Sequence, residues 1–168
     1  MVLGKTQHVQ IRVSPQQKAA LKRAAQQAGM DMSEWILART LPTAAQQFTH
    51  CVAELARAQG DPTKRRLALV ALHDYFAQRG TRDLQVALLA MPTLPGDPLS
   101  ANYLAAMIEF TCHRHGIRPP TWLRQVQPLQ DPYFATELVS LRAYLLRVSP
   151  PPFKQRNLFI DTTIGGRI

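Results

Sequence analysis

HVQIRVSPQQKAALKRAAQQAGMDMSEWI, residues 8–36, contains two periodicities in succession. Val9, Ile11 and Val13 alternate with His8, Gln10 and Arg12, a period of two that puts the apolar trio on one face of a strand and the polar trio on the other. The pattern changes at Ser14. Ser14, Pro15 and Gln17 have the form of a capping box with a first-turn proline, and Leu21, Ala24, Ala25 and Ala28 then recur at helical spacing. Lys18, Lys22 and Arg23 fall largely outside that stripe. Gly29 closes the predicted helix as a left-handed cap. Asp31 with Glu34 opens a second helix, Ser33 being a competing cap, with Trp35, Ile36 and Leu41 on its apolar side and Pro42 at its end.

A strand, two helices and a Gly turn within about 35 residues is too little chain to bury a good core alone. Antiparallel pairing of two such strands about a two-fold axis would bury Val9, Ile11 and Val13 with Leu21, Trp35 and Ile36 as a dimer core. The opposite face would show His8, Gln10 and Arg12 twice, as a two-stranded ribbon of the size that enters a major groove.

On the VQIRVSP strand exit, the Gly29 turn and the SEWI start of the second helix, residues 7–41 resemble the ribbon-helix-helix family of DNA-binding proteins, which includes the methionine and Arc repressors. The resemblance implies a homodimer in which His8, Gln10 and Arg12 meet base edges. Arginine matches guanine O6 and N7, and glutamine matches adenine N6 and N7. It also implies phosphate contacts from Lys5 and from the backbone amides of Met32 and Ser33 at the start of the second helix. Asp31 at that position places negative charge beside the expected phosphate. Two plainer readings stand beside this: Arg12 as a solvated edge residue, and the module as a dimeriser alone.

Beyond the first 42 residues the chain reads as a helical domain, 43–149, and an extended tail, 150–168. Ala44 to Ala90 reads as three helices interrupted by GDP at 60–62 and by Gly80, with Phe48, Val52 and Leu55, then Leu69, Leu72 and Phe76, at helical spacing. MPTLPGDPLS, 91–100, has three prolines and is the best candidate for an internal boundary or long loop. SANYLAAMIEFTCHRHG predicts a helix capped at Ser100 and stopped at Gly116; a short element follows near Trp122, then a helix from about Pro132. The fold class expected is mainly α, a ribbon-helix-helix dimerisation module followed by helices and an extended tail.

The triple proline at 150–152 abandons helical periodicity, and the tail mixes Phe153, Leu158, Phe159 and Ile160 with Lys154 and Arg156. Those six residues could anchor a partner groove and meet acidic groups, or the tail could fold back on its own domain. LRAYLLRVSPPPFKQRNLFI is also similar to the ends of helical antitoxins encoded beside nucleotidyltransferase-type toxins. That resemblance implies a cognate toxin as partner.

Charge agrees with a polyanionic partner without identifying one. The 168 residues carry 20 Lys and Arg against 11 Asp and Glu, net +9 with a pI near 10.3. Residues 1–42 hold six positive and two negative side chains, and 150–168 hold three and one. Cys51 and Cys112 are the only cysteines, too few for a disulfide scaffold. MVLGKTQHVQIRV lacks the apolar core of a secretory signal, and no run approaches the roughly 18 apolar residues of a membrane span, so a soluble cytoplasmic protein is expected.

Catalytic and metal chemistry find little footing. Cys112 and His115 have chelating spacing and His50 adjoins Cys51, but a zinc site needs further ligands that no recognised spacing supplies. Asp74, Asp83, Glu109 and Glu137 form no paired arrangement, His73 and Asp74 point apart on a helix, and no Gly-rich phosphate loop is present. KRR at 64–66 follows a turn and reads as a solvent-facing helix start or an accessory phosphate contact. The expected protein is therefore no enzyme and holds neither metal nor cofactor. The functional expectation is an antitoxin and autorepressor that binds double-stranded operator DNA as a homodimer and neutralises a toxin. Alternatives are a sequestering protein whose first module only dimerises, and a plasmid partition or copy-control regulator.

Overall fold

A computed structural model of the chain describes residues 10–161, which divide into two compact units, Met1–Pro42 and Thr43–Ile168. Unit 1 contains α1 (Pro15–Gln27) and α2 (Met32–Thr40). Ser14 forms both halves of its capping box: Gln17 N donates to Ser14 Oγ at 3.2 Å, and Ser14 N donates to Gln17 Oε1 at 2.8 Å. At the other end Met30 N reaches Ala25 O at 3.0 Å and Gly29 N reaches Gln26 O at 3.1 Å, a Schellman closure that places Gly29 at φ +65°. Asp31 caps α2, its Oδ1 accepting from Glu34 N at 2.9 Å.

The expected N-terminal strand is not formed among the described residues. Residues 10–13 pair with no other strand, and Ile11 and Val13 are 61% and 41% exposed. A strand is defined by the ladder its neighbour supplies, and among the described residues of this chain none supplies one to residues 10–13. Leu21, Trp35 and Ile36, expected in a dimer core, are half-buried, and among the described residues of unit 1 Ala25 alone is buried. Unit 1 is two capped helices and not a ribbon-helix-helix dimerisation module; Val9 lies outside the described residues.

Unit 2 is built around one helix. The elements are α3 (Ala44–Arg57), α4 (Pro62–Ala77), α5 (Thr81–Ala87), α6 (Pro98–His115), a 3₁₀ turn at Thr121–Gln125, β1 (Tyr133–Phe134), α7 (Val139–Val148), α8 (Pro151–Lys154) and β2 (Leu158–Phe159). α6 is buried on most sides, from Ser100 through Ile108 and again at Thr111 and Cys112, as expected of a helix apolar all round that others wrap. α3 and α4 contribute Phe48, Val52, Leu55, Leu72, Tyr75 and Phe76, with the rings of Phe48, Tyr75 and Phe76 5.4–6.0 Å apart.

The helix starts follow local chemistry. Asp61 and Asp97, each before a proline, cap α4 and α6, so that Ser100, expected as the α6 cap, instead lies inside the helix and donates its amide to Asp97, and Gly116 ends α6 in the left-handed region at φ +63°. The turn-rich 91–100 stretch is no boundary: it lies within unit 2, Pro92 and Pro95 are buried, and Trp122 Nε1 donates to Leu88 O at 3.1 Å just before it. The helix expected from Pro132 begins only at Val139, because Tyr133 and Phe134 pair in parallel with Leu158 and Phe159. Tyr133 N donates to Asn157 O at 2.8 Å, Ala135 N to Phe159 O at 2.9 Å, and the rings of Phe134 and Phe159 stack at 4.9 Å.

That pairing also corrects the extended tail. Residues 150–161 form α8 and β2 and enter the core of unit 2, with Phe153 and Leu158 fully buried and Ile160 3% exposed. Ser149 Oγ accepts from Ile160 N at 2.8 Å and anchors the last described turn. Apolar side chains at Phe153, Leu158 and Ile160 are better removed from water by the helices already present than held out in solvent. Among the described residues no helix is long and apolar enough to cross a membrane.

Candidate functional site

The clearest charged surface of unit 1 is α1. Its sequence, PQQKAALKRAAQQ, contains no acidic residue, and Lys18, Lys22 and Arg23 are all exposed. Lys18 and Lys22 are one turn apart and therefore share a face, with Gln26 one turn further on. None of these cations forms an ion pair among the described residues. Arg12, just before the helix, is exposed as well. Over residues 10–42 five basic side chains stand against Asp31 and Glu34, so the unit projects a positive field. α2 adds little to that face, since Arg39 lies over its own Trp35 ring at 5.1 Å.

The residues expected to read bases are not gathered into a ribbon. Gln10 and Arg12 are exposed on unpaired backbone, and His8 and Lys5 lie outside the described residues. Met32 is half-buried and Ser33 exposed at the start of α2, where the Asp31 carboxylate already takes the amide of Glu34. That carboxylate occupies the position at which an incoming phosphate would need free N–H groups.

The residues expected to bind a partner at the C-terminal end are interior ones. Phe153, Leu158, Phe159 and Ile160 are buried, and Lys154 Nζ donates to Arg147 O at 2.9 Å. Arg156, 6% exposed, is clamped to α6: its Nε donates to Glu109 Oε2 at 3.1 Å and its Nη2 to Glu109 Oε1 at 2.5 Å. Its Nη1 donates to Val126 O at 3.0 Å and to Asn102 Oδ1 at 3.4 Å. Glu109 and Arg156 lie far apart in the chain, and no local pattern in the sequence links them.

Thiol and imidazole side chains are separately engaged. Cys112 is fully buried on α6, and burial pushes its thiol up to about 11. Cys51 is also raised, chiefly by burial, while His115 Nδ1 lies 3.3 Å from Thr81 Oγ1 and His50 Nε2 lies 3.9 Å from Glu54. Among the described residues no three His, Cys, Asp or Glu side chains converge as a metal site would require. KRR at 64–66 sits in the first turn of α4, with Lys64 3.3 Å from Asp61 and Arg65 4.0 Å from Asp97.

The comparisons with known proteins bear on the N-terminal part. A family model described as NikA-like, mobilization protein NikA, matches residues 4–50. No curated protein and no solved structure matches the chain. The resemblance to ribbon-helix-helix repressors, and the operator-reading antitoxin inferred from it, are therefore overturned on two grounds: the described N-terminal residues form an unpaired segment at 10–13 followed by two helices and no strand, and the family found there is a mobilization-protein family. Over residues 4–50, which include all of unit 1's helices and the first half of α3, this chain is similar to mobilization protein NikA.

Proposed function

We propose that the chain serves in the mobilization of DNA, as a non-catalytic cytoplasmic accessory whose unit 1 contributes a basic helical face to the assembly on the DNA. The observation that carries the reading is the match of residues 4–50 to mobilization protein NikA. The carboxylate-free surface of α1 supports it, because Lys18, Lys22 and Arg23 offer uncompensated cations to a phosphate backbone. This role uses the side of a helix and general electrostatics; it requires no ribbon, no operator and no toxin.

The test is a mating assay with a mobilizable plasmid that carries the gene. Removing the gene lowers transfer, wild type restores it, and the Lys18→Ala, Lys22→Ala, Arg23→Ala variant restores it poorly. In parallel, association of the purified full chain with mixed-sequence DNA falls with salt at a log-log slope of about −0.9 per phosphate engaged, and the triple variant loses up to three contacts' worth of slope. Transfer unaffected by loss of the gene refutes the reading.

A further inference from the structure

A cleft of about 520 Å³ opens on unit 2 between the segment from Arg118 to Pro128 and the turn that carries Arg156. Its volume lies within the range of small-ligand sites, roughly 300–1,000 Å³. Three arginines, Arg118, Arg124 and Arg156, line it against one acidic residue, Glu109. Glu109 is committed to Arg156 through both of its oxygens. Arg118 and Arg124 are exposed and form no ion pair among the described residues, so the lining carries two uncompensated positive charges.

The floor is built from a buried, hydrogen-bonded ion pair. Arg156 is over nine-tenths buried and directs four N–H bonds to Glu109, Asn102 and Val126, out of the five a guanidinium offers. Pro119 and Pro120 restrict one wall, and Leu123 and Val126 give the lining an apolar side. A cleft with an apolar wall and two free guanidinium groups matches a ligand with an organic body and a doubly charged anionic head. A phosphate monoester, with a charge of about −1.5 to −2 at neutral pH, satisfies both arginines, whereas a single carboxylate satisfies one.

We propose that this cleft binds a small organic phosphate of mononucleotide size, with Arg118 and Arg124 on the phosphate, Arg156 as the fixed floor, and Leu123 and Val126 against the organic body. The cleft lies outside residues 4–50, so this assignment stands or falls separately from the mobilization role.

The test is calorimetric titration of the full chain with adenosine monophosphate, inorganic phosphate, adenosine and acetate. The monophosphate binds with one site per chain, more tightly than inorganic phosphate, while adenosine and acetate give no saturable heat. Arg118→Ala with Arg124→Ala weakens it roughly 10-fold or more, since each arginine supplies charge-assisted bonds. The unfolding midpoint stays unchanged because both side chains are exposed. Should the double variant misfold, Arg118→Gln and Arg124→Gln singly each show part of the loss. The Lys18→Ala, Lys22→Ala, Arg23→Ala chain binds as wild type does. Absence of saturable binding, loss through the α1 variant in place of the cleft variant, or inorganic phosphate binding as tightly as the nucleotide overturns the assignment.

Discussion

Replacing Glu109 with Gln isolates the clamp that holds the C-terminal segment of unit 2. The wild-type pair is well removed from water, with Arg156 7% and Glu109 20% exposed at the side chain, and two parallel bonds join them. The amide keeps one acceptor oxygen but turns an NH₂ toward a guanidinium N–H, so one bond is lost and the buried cation is left without a counter-charge. Breaking a buried pair on one side costs about 3–5 kcal/mol, and the lower end applies because the cleft admits water to Glu109. For a unit of 126 residues about 3 kcal/mol lowers the midpoint by roughly 11 °C. Urea unfolding followed by Trp122 fluorescence in a Trp35→Phe background reports on unit 2 alone, since those are the two tryptophans. A thermodynamic cycle with Arg156→Met separates the pair from its surroundings: the two single losses sum to more than the double loss by at least about 1 kcal/mol. Glu109→Gln within about 1 kcal/mol of wild type, or strict additivity in the cycle, refutes the reasoning.

Two further perturbations follow from the same core. Ser149→Ala leaves the Ile160 amide without its acceptor and costs about 1–3 kcal/mol; hydrogen exchange at Ile160 accelerates before that at Leu104, and equal acceleration at both refutes the local anchoring. Burial raises Cys112 from 9.0 to about 11 and Tyr75 from 10.0 to about 12, so above pH 9 the unfolded chain gives up protons that the folded chain retains. Stability contributed by these groups is present below pH 9 and falls as pH rises toward 11. Urea midpoints at pH 8, 9, 10 and 10.5 therefore decline, less steeply in Cys112→Ala, and a level profile refutes the assignment.

Local chemistry was readable residue by residue wherever a few neighbouring side chains decide the backbone. Ser14 with Gln17, Gly29 and Asp31 set the ends of α1 and α2 as their types require. The spacing of Phe48, Val52 and Leu55 identified the buried side of α3. The alternation of Val9, Ile11 and Val13 misled, because a period of two states only that a strand would have two faces, and pairing must come from elsewhere in space. The basic residues of α1 were visible as types, but the absence of nearby ion pairs among the described residues was not.

What the amino-acid order determined by itself was the presence of α1 to α6, the caps at Ser14, Gly29, Asp31 and Gly116 and the excess of positive charge, all properties of residues within a turn or two of each other. Tertiary structure alone decided the fate of the C-terminal segment and the existence of the cleft. Tyr133 meets Leu158, and Glu109 meets Arg156 across 47 positions, through contacts that local propensity does not encode. PPPFKQRNLFI, read alone, is an apolar extended strip that wants a surface. The helices of its own unit supply that surface without the loss of translational freedom that recruiting a separate partner would cost.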